Sequence, residues 1–211
     1  MKIGILWDLD GTLLDTLEDL MDGVNYALDQ YGLASRTLEE IRKFVGNGAA
    51  NLINQAVDGR ADEQVVLNTF RTYYNAHCQI KTKPYDGVKE TLALLGEKYP
   101  MAIVSNKPDS AVKPLCQQYF PGIYALGERA DCPRKPAADM VFKAMADIGV
   151  ETCIYVGDSE VDVATAKNAG VECLSVLWGF RDRETLEQVG ATNFCERPED
   201  LAATLETMIH R

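Results

Sequence analysis

The sequence predicts an α/β protein built on a doubly wound, mostly parallel sheet, with a small all-helical segment inserted after the first strand. From about residue 85 onward, short apolar runs alternate with single stretches of helical period. Strands that are separated by single helices pair in parallel through right-handed crossovers. Before that point, an apolar run at residues 3–7 is followed by helical periodicity alone. We therefore expect a core of residues 1–14 and 85–211, and a helical cap of residues 15–84.

The first element is a strand at residues 3–7, which two carboxylates follow directly. The run is short and apolar enough to be buried on both faces of a parallel sheet, and the loop after such a strand lies where these folds bind ligands. Asp8 and Asp10 can bind a hard cation there. Different environments could also keep one ionised as a nucleophile and the other protonated as an acid. A plain turn at Asp10-Gly11 is the alternative, because both residues favour turns.

The cap is predicted to consist of four helices. They cover residues 16–31, 37–44, 49–57 and 62–78, with a capping box at the start of the second. Gly46-Asn47-Gly48 breaks the chain between the second and third helices. This break is polar and glycine-rich, as a segment that reaches a ligand at the sheet edge could be.

The core continues as an alternation of helices and strands. Helices are predicted at residues 86–98, 109–119, 137–148 and 160–169, and strands at residues 101–106, 122–126, 153–158 and 172–176. Several of these strands end in polar residues, as the first strand does.

Composition argues against several functional classes. A net charge of -11 over 211 residues disfavours nonspecific binding to nucleic acid or to an anionic membrane. Apolar runs are far shorter than the roughly 20 residues that span a bilayer, so we expect neither a membrane helix nor a signal peptide. The six cysteines are scattered without a Cys-x-x-Cys pair, which favours reduced thiols in a cytoplasmic protein over disulfides or a zinc site. Two histidines give little support to histidine-based catalysis.

Five polar residues could join the two aspartates at the sheet edge: Ser105, Asn106, Lys135, Asp158 and Asp162. Asp158 ends a strand as Asp8 does, and Asp162 would face the same way if a helix begins near residue 159. Each residue also has an ordinary structural explanation. Ser105 could close a turn, and Lys135 could be a solvated loop residue. Asp158 or Ser159 could cap a helix, with Asp162 favouring the dipole of its first turn. Taken singly, these residues leave catalysis and structure open.

The order of these residues resembles the four motifs of the haloacid dehalogenase superfamily, whose commonest members are Mg²⁺-dependent phosphatases. Matching segments are Asp8-Leu9-Asp10-Gly11-Thr12, Ser105, Lys135 and Gly157 to Asp162. The helical insert resembles the cap of the phosphoglycolate phosphatase and β-phosphoglucomutase branch. Trp178-Gly179-Phe180-Arg181 and Gly190-Ala191-Thr192 resemble the phosphatases of that branch. The resemblance implies a Rossmann-like core with phosphatase activity.

By this resemblance, Asp8 is a nucleophile that becomes an aspartyl-phosphate, and Asp10 protonates the leaving oxygen and then activates water. Mg²⁺ is expected on Asp8, the main-chain carbonyl of Asp10, and Asp158. Asp162 is expected to position Lys135 or a water molecule. Lys135 is the only cation expected beside these four acidic residues. Phosphate binding is expected from Thr12, Ser105, Asn106 and Lys135.

The cap is expected to choose the leaving group, with Arg42 and Asn47 beside the glycine break as candidates for substrate contact. The expected partner is a small phosphorylated metabolite, with no nucleic acid or membrane, and the protein is expected to be a monomer or a homodimer. Alternatives within the superfamily are a β-phosphoglucomutase-like phosphotransferase, a pyrophosphatase, a phosphonatase and a dehalogenase. Asp10 and Asp158 argue against the dehalogenase, which needs neither metal nor acid. A non-catalytic regulatory module is the alternative from another class, although no core motif residue is missing.

Overall fold

The structure is a computed structural model that describes residues 2–211. In chain order, its strands are β1 (Ile3–Trp7), β2 (Leu14–Asp15), β3 (Lys83–Pro84), β4 (Met101–Pro108), β5 (Tyr124–Glu128), β6 (Thr152–Gly157), β7 (Glu172–Val176) and β8 (Phe194–Cys195). The main sheet has the order β5-β4-β1-β6-β7-β8, and all its neighbouring strands are parallel. The prediction of a doubly wound parallel sheet is confirmed.

Helices connect these strands and build the cap. In chain order they are α1 (Leu17–Asp29), α2 (Leu38–Phe44), α3 (Gly48–Val57), α4 (Glu63–His77), α5 (Val88–Gly96), α6 (Asp109–Tyr119), α7 (Asp139–Ile148), α8 (Glu160–Ala169), α9 (Arg183–Gln188) and α10 (Leu201–Ile209), with a 3₁₀ turn at Pro198–Asp200. Within the described chain, no helix has the length and apolarity needed to cross a membrane.

The central strand β1 is buried on both faces because its side chains alternate between two apolar clusters. Ile5 and Trp7 pack into the larger cluster and Leu6 into the second, on the opposite face of the sheet. β4 and β6 pair with β1 on its two sides. The loop that follows β1 therefore leaves the middle of the sheet between two other strand ends.

The cap packs through the apolar faces of its helices. On α1, Val24 and Leu28 are fully buried, and Phe70 and Tyr74 are buried on α4. A Cβ on Gly23 would lie 3.0 Å from the Phe70 ring, so α1 and α4 approach each other closely. The four predicted cap helices are confirmed, as is the capping box at the start of α2.

A two-stranded antiparallel ribbon stands where the core meets the cap. β2 and β3 pair Leu14 with Pro84 and Asp15 with Lys83. The chain leaves the core through β2 and returns through β3, at the boundary that the sequence predicts. The division into two domains stays a prediction.

Some element ends differ from the sequence-based expectations. β4 extends to Pro108 and includes the buried Lys107, whereas the strand was predicted to end at Asn106. α7 begins at Asp139 rather than residue 137. The elements α9, β8 and α10 lie beyond the last predicted strand and were not predicted.

Candidate active site

Three parallel strands bring their carboxyl ends together as the floor of the site. β1 lies between β4 and β6, so residues that close these strands are neighbours although they are far apart in sequence. Asp8 follows β1, Ser105 lies near the end of β4, and Asp158 follows β6. All three side chains are buried. The sheet itself therefore assembles the floor.

Lys135 connects the two sides of this floor. Its ammonium nitrogen Nζ donates to Asp8 Oδ1 at 2.8 Å, to Asp162 Oδ1 at 2.8 Å and to the Tyr155 hydroxyl at 3.0 Å. Burial by itself lowers the pKa of Lys135, but the carboxylates of Asp162 and Asp8 outweigh it and hold the pKa well above its usual value. Lys135 therefore stays cationic beside Asp8, where it can bind a phosphoryl oxygen.

Asp158 is fixed by contacts from two distant loops. The Phe180 N–H donates to Asp158 Oδ2 at 2.7 Å, and the Thr12 hydroxyl donates to Oδ1 at 3.2 Å. A Cβ at Gly11 or at Gly179 would lie 2.3 Å from atoms of Asp158, and Gly11 also has a φ of +85°. Only glycine lets both backbones pack against this carboxylate.

Thr12, which is predicted to bind phosphate, has a different contact in the structure. Its side chain is fully buried, it does not line the cavity described below, and its hydroxyl faces Asp158. The Trp178 indole N–H donates to the Thr12 carbonyl at 3.0 Å. The Thr12 hydroxyl therefore contacts Asp158, and its binding of phosphate stays a prediction.

Asp162 combines a structural and a positioning contact. Its Oδ2 accepts hydrogen bonds from the Ser159 backbone N–H at 3.1 Å and from the Ser159 hydroxyl at 2.6 Å, which caps α8. Its Oδ1 accepts from Lys135. Asp162 therefore caps α8 with one carboxylate oxygen and contacts Lys135 with the other.

The carboxylates of the floor fit a hard cation. Asp8, Asp158 and Asp162 each offer an oxygen atom, and these atoms lie within 4.8 Å of one another. Burial raises the pKa of Asp158 to about 7, with a further contribution from Asp162. Burial also raises the pKa of Asp8 well above its usual value, although Lys135 opposes the shift. A divalent cation among these oxygens would stabilise their ionised forms, and carboxylate oxygens are ligands that Mg²⁺ prefers.

Lys107 forms a second buried ion pair that the sequence analysis missed. Its Nζ lies 2.7 Å from Asp10 Oδ1, and its side chain is 3% exposed. Burial lowers the pKa of Lys107, but Asp10 outweighs it, so the pKa is above its usual value. The Tyr74 ring of α4 covers the ammonium, with 5.0 Å between Nζ and the ring centroid. Lys107 therefore lies between Asp10 and the cap.

The carboxylates of the site outnumber its ammonium groups. Among the described residues of the floor, the carboxylates are Asp8, Asp10, Asp158 and Asp162, and the ammonium groups are Lys107 and Lys135. The expectation that Lys135 alone balances these acids is wrong, because Lys107 pairs with Asp10. Full ionisation still leaves a surplus of two negative charges, which one Mg²⁺ would offset.

Ser105 and Asn106 connect the floor to its surroundings. The Ser105 hydroxyl oxygen accepts a hydrogen bond from the Lys107 backbone N–H at 3.2 Å, which leaves its own proton available to a ligand. The Asn106 amide donates to the Lys135 carbonyl at 2.9 Å and to the Gly46 carbonyl of the cap at 3.2 Å. Asn106 thus joins the core to the glycine break of the cap.

Arg181 makes a second connection between core and cap. Its guanidinium donates to the carbonyls of Arg42 and Val45, each at 2.8 Å, and of Lys43 at 3.3 Å, at the end of α2. Glu160 of the core holds the same guanidinium, with 2.7 Å between Arg181 Nε and Glu160 Oε2. The end of α2 is therefore held against the core.

Arg42 and Asn47, the predicted cap contacts, are not brought into the cavity. Arg42 is exposed and meets the core through its carbonyl oxygen. Neither residue lines the cavity, although Gly46 and Gly48 on each side of Asn47 do. Their contact with substrate stays a prediction.

A cavity of about 60 Å³ lies between the floor and the cap. From the core it is lined by Asp8, Asp10, Ser105, Asn106, Lys107, Pro108, Lys135, Asp158, Ser159 and Phe180, and from the cap by Leu20, Val45, Gly46, Gly48, Ala49, Leu52, Phe70, Arg71, Tyr74 and Asn75. At roughly 10–15 Å³ for each water molecule, this volume admits about four to six waters. It fits a small ligand.

The sequence as a whole matches a known family. The family model of the haloacid dehalogenase-like hydrolases matches residues 5–176. The chain belongs to this family. The family that the motifs predict is therefore confirmed.

Individual relatives of this hydrolase are phosphatases. A phosphoglycolate phosphatase from Pseudomonas fluorescens is 33% identical over 202 residues, which cover 89% of this chain and 74% of the relative. Phosphoglycolate phosphatase 1 from Pseudomonas aeruginosa is 32% identical over 211 residues, covering 93% and 77% of the two chains. A crystal structure from Lactobacillus delbrueckii, provisionally assigned as a phosphoglycolate phosphatase, has 36% identity and a TM-score of 0.89, and covers 96% of this chain and 98% of its own. These findings support the identification of the chain as a phosphatase.

The structure of this hydrolase brings most of the predicted site residues to one floor: Asp8, Asp10, Ser105, Asn106, Lys135, Asp158 and Asp162. Tyr155 and Lys107 are the main residues that sequence reasoning missed. Tyr155 lies within an apolar strand, where an aromatic residue is expected for packing alone. Lys107 directly follows Ser105-Asn106, and this adjacency was the available indication.

Proposed function

We propose that this hydrolase is a Mg²⁺-dependent phosphatase that cleaves a small phosphate monoester through an aspartyl-phosphate on Asp8. Phosphoglycolate is the first candidate substrate, because relatives over most of the chain carry that activity in their names. The observation that carries the proposal is the buried Lys135 ammonium between Asp8 and Asp162, on the floor of a small cavity.

Asp8 is the nucleophile in this proposal. Lys135 holds its Oδ1, which orients the carboxylate and leaves Oδ2 to attack phosphorus in line with the leaving oxygen. Asp8, Asp158 and the main-chain carbonyl of Asp10 would hold Mg²⁺, which supplies neutralisation of the phosphate charge when bound. Asp162 serves as the positioning residue for Lys135.

The transferred phosphoryl group is bound by two polar groups of the floor. The Ser105 hydroxyl faces the cavity and can donate to a phosphoryl oxygen. Lys135 donates its three N–H groups to Asp8, Asp162 and Tyr155, so it exchanges one of these bonds for a phosphoryl oxygen. In phosphoryl transfer, such positioning and charge neutralisation supply most of the catalysis. Asn106 supports this arrangement by holding the Lys135 carbonyl.

Asp10 transfers a proton in each of the two half-reactions. It protonates the departing oxygen as the bond to phosphorus breaks, and then takes a proton from the water that attacks the phosphoenzyme. Its carboxylate lines the cavity beside Asp8, and Lys107 holds its Oδ1. One carboxylate can thus serve first as acid and then as base.

Activity assays test this function directly. Purified protein is offered 2-phosphoglycolate, sugar phosphates, nucleotides, pyrophosphate and a phosphonate with Mg²⁺, and released phosphate is measured with and without excess chelator. Hydrolysis of a small monoester that is lost in chelator and restored by added Mg²⁺ is expected. Full turnover in chelator would refute the metal dependence, and preference for pyrophosphate or the phosphonate would refute the substrate class.

We also place the protein in the cytoplasm. Its six cysteines are all free thiols, four of them buried, as expected in a reducing compartment. A monomer or a homodimer stays the expectation for its oligomeric state.

A further inference from the structure

The cap wall of the cavity carries a cation that the proposed mechanism does not use. α4 contributes Phe70, Arg71, Tyr74 and Asn75 to the lining, so one edge of the helix faces the cavity over a full turn. Arg36 and Arg60 elsewhere in the cap pair with neighbouring carboxylates. Within residues 2–211, the Arg71 guanidinium has neither an ion pair nor a hydrogen bond.

A buried hydroxyl one helical turn after Arg71 lacks a hydrogen bond of good geometry. Tyr74 is 4% exposed and lines the cavity, and among the described residues only the Lys107 ammonium beneath its ring interacts with its hydroxyl. A buried polar atom without a partner costs about 1–3 kcal/mol, so such atoms in a binding cavity indicate a ligand group. Lys107 lies beneath this ring, 5.0 Å from its centroid. Donors from the cap and from the core therefore line the same cavity.

The floor and the cap wall of the cavity differ in the charge that they present. The floor holds Asp8 and Asp158 with Lys135, and fits a phosphate together with a cation. The cap wall presents the Arg71 guanidinium, and Lys107 of the floor lies beneath the Tyr74 ring. A ligand that matches both sides has a phosphate on the floor and a second anionic group toward the cap. The cavity of about 60 Å³ favours a short link between the two groups.

We infer that Arg71, with Tyr74 and Lys107, forms a subsite for the carboxylate of the leaving group, so that the enzyme selects phosphate monoesters of short hydroxy acids. A guanidinium presents paired donors that match the two oxygens of a carboxylate. Arg71 comes from the cap and Lys107 from the core, so a substrate carboxylate bridges the two parts. This inference rests on the proposed function and adds the residues that recognise the leaving group.

The test compares two esters of equal length. One is 2-phosphoglycolate, and the other is 2-hydroxyethyl phosphate, in which a neutral CH₂OH replaces the carboxylate; p-nitrophenyl phosphate serves as a reference. We expect kcat/KM of the wild-type protein to favour phosphoglycolate over the neutral ester by about 10²-fold or more. Arg71→Gln should lower kcat/KM for phosphoglycolate by about 10²-fold. It should change kcat/KM for the other two esters less than about threefold.

Two further variants and a control sharpen this test. Tyr74→Phe removes only the hydroxyl and should lower kcat/KM for phosphoglycolate about tenfold, mainly through a higher KM. Arg71→Lys keeps the charge but loses the paired donors, so its preference should lie between those of the wild type and Arg71→Gln. Arg60→Gln changes a cap arginine that pairs with Asp58 outside the cavity, and should leave the substrate preference unchanged.

The outcomes separate this inference from the proposed function. Equal wild-type rates with the charged and neutral esters, or equal losses on all three esters in Arg71→Gln, would overturn the subsite while the phosphatase stands. If the wild-type protein hydrolyses none of the esters, the proposed function fails. The subsite is then decided by calorimetric titration with phosphoglycolate, where unchanged affinity in Arg71→Gln would overturn it and weaker affinity would support it.

Discussion

The floor of the cavity and its cap wall line the same cavity but are held in place by different interactions. On the floor, Asp8, Lys135 and Asp158 are buried at the ends of parallel strands or beside them, and each is fixed by hydrogen bonds or ion pairs. On the wall, Arg71 and Asn75 are largely exposed on a helix that belongs to the inserted segment. The polar side chains of the floor are thus held in place, whereas Arg71 and Asn75 can be replaced at little cost to the fold.

The connection between the two regions is small and polar. Arg181 holds the end of α2, and Asn106 holds the carbonyl of Gly46. The ribbon of β2 and β3 provides the covalent connection. Substitutions on the floor should therefore alter the rate of the reaction, and substitutions on the wall should alter the substrate preference. The following substitutions test this difference, from the largest expected effect to the smallest.

Removal of the central cation of the floor should have the largest effect. Lys135→Ala leaves Asp8 and Asp162 without their shared partner, so kcat/KM should fall by about 10³-fold on every phosphate ester. Arg134→Ala is the matched control, because its side chain is partly exposed and lies 3.7 Å from Glu128. It should stay within about threefold of the parent rate. Steady-state assays decide this, and equal losses in the two variants would show that Lys135 is not the phosphate-binding cation.

Disruption of the ion pair between Lys107 and Asp10 should come next. Lys107→Met leaves the Asp10 carboxylate without its buried partner, which should cost about 3–5 kcal/mol of unfolding free energy and about 10²-fold in kcat. Denaturant unfolding measures the first effect. The double variant Lys107→Met/Asp10→Asn removes both charges and should recover much of the stability but none of the activity. Additive losses of stability in the double variant would contradict the pairing.

Loss of the contact that orients Asp158 should have a smaller effect. Thr12→Val removes the hydroxyl that donates to Asp158 and should weaken Mg²⁺ binding by about tenfold, as measured by titration. Thr16→Val provides the comparison, because the Thr16 hydroxyl is buried without a partner in the described chain. That variant should bind Mg²⁺ as the parent does. A phosphate affinity that falls while Mg²⁺ affinity is unchanged would return Thr12 to the predicted role in phosphate binding.

Loss of the Arg181 contacts between core and cap should have the smallest effect on the catalysed reaction. Arg181→Gln removes the donors to the end of α2, so KM should rise by about threefold to tenfold with little change in kcat. Hydrogen exchange of the backbone amides at residues 42–48 should become faster. Arg183→Gln alters an exposed arginine that pairs with Glu187 and Glu196, and should change neither quantity. Unchanged exchange in Arg181→Gln would show that other contacts hold the cap.

The floor was predictable from sequence because of the geometry of a parallel sheet. Asp8, Ser105 and Asp158 each end an apolar run, and the carboxyl ends of parallel strands lie at one edge. Lys107 was not predicted because a lysine at the end of an apolar run indicates the end of the strand, unless the buried carboxylate that pairs with it is known. Tyr155 was missed because its hydroxyl contact with Lys135 depends on tertiary packing.

The cap wall was predicted less well for a different reason. Helical periodicity identifies the apolar face of α4, through which Phe70 and Tyr74 pack against α1. It does not determine how far the helix rotates toward the core, so Arg71 at the edge of that face could not be chosen over Arg42. The glycine break lines the cavity through Gly46 and Gly48 rather than through the side chain of Asn47.

The central claim, that Asp8 carries the phosphoryl group and Asp10 moves the protons, is tested most directly by trapping the phosphoenzyme. Asp10→Asn is mixed with p-nitrophenyl phosphate, whose leaving group needs no protonation, and is quenched in acid within the first turnover. The first step should survive while hydrolysis of the intermediate stops, because water has lost its base. We expect a burst of nitrophenolate and an acid-stable, hydroxylamine-labile adduct on Asp8, which is absent in Asp8→Asn/Asp10→Asn. An Asp10→Asn protein that turns over alkyl phosphates at the parent rate, with no adduct, would contradict this assignment.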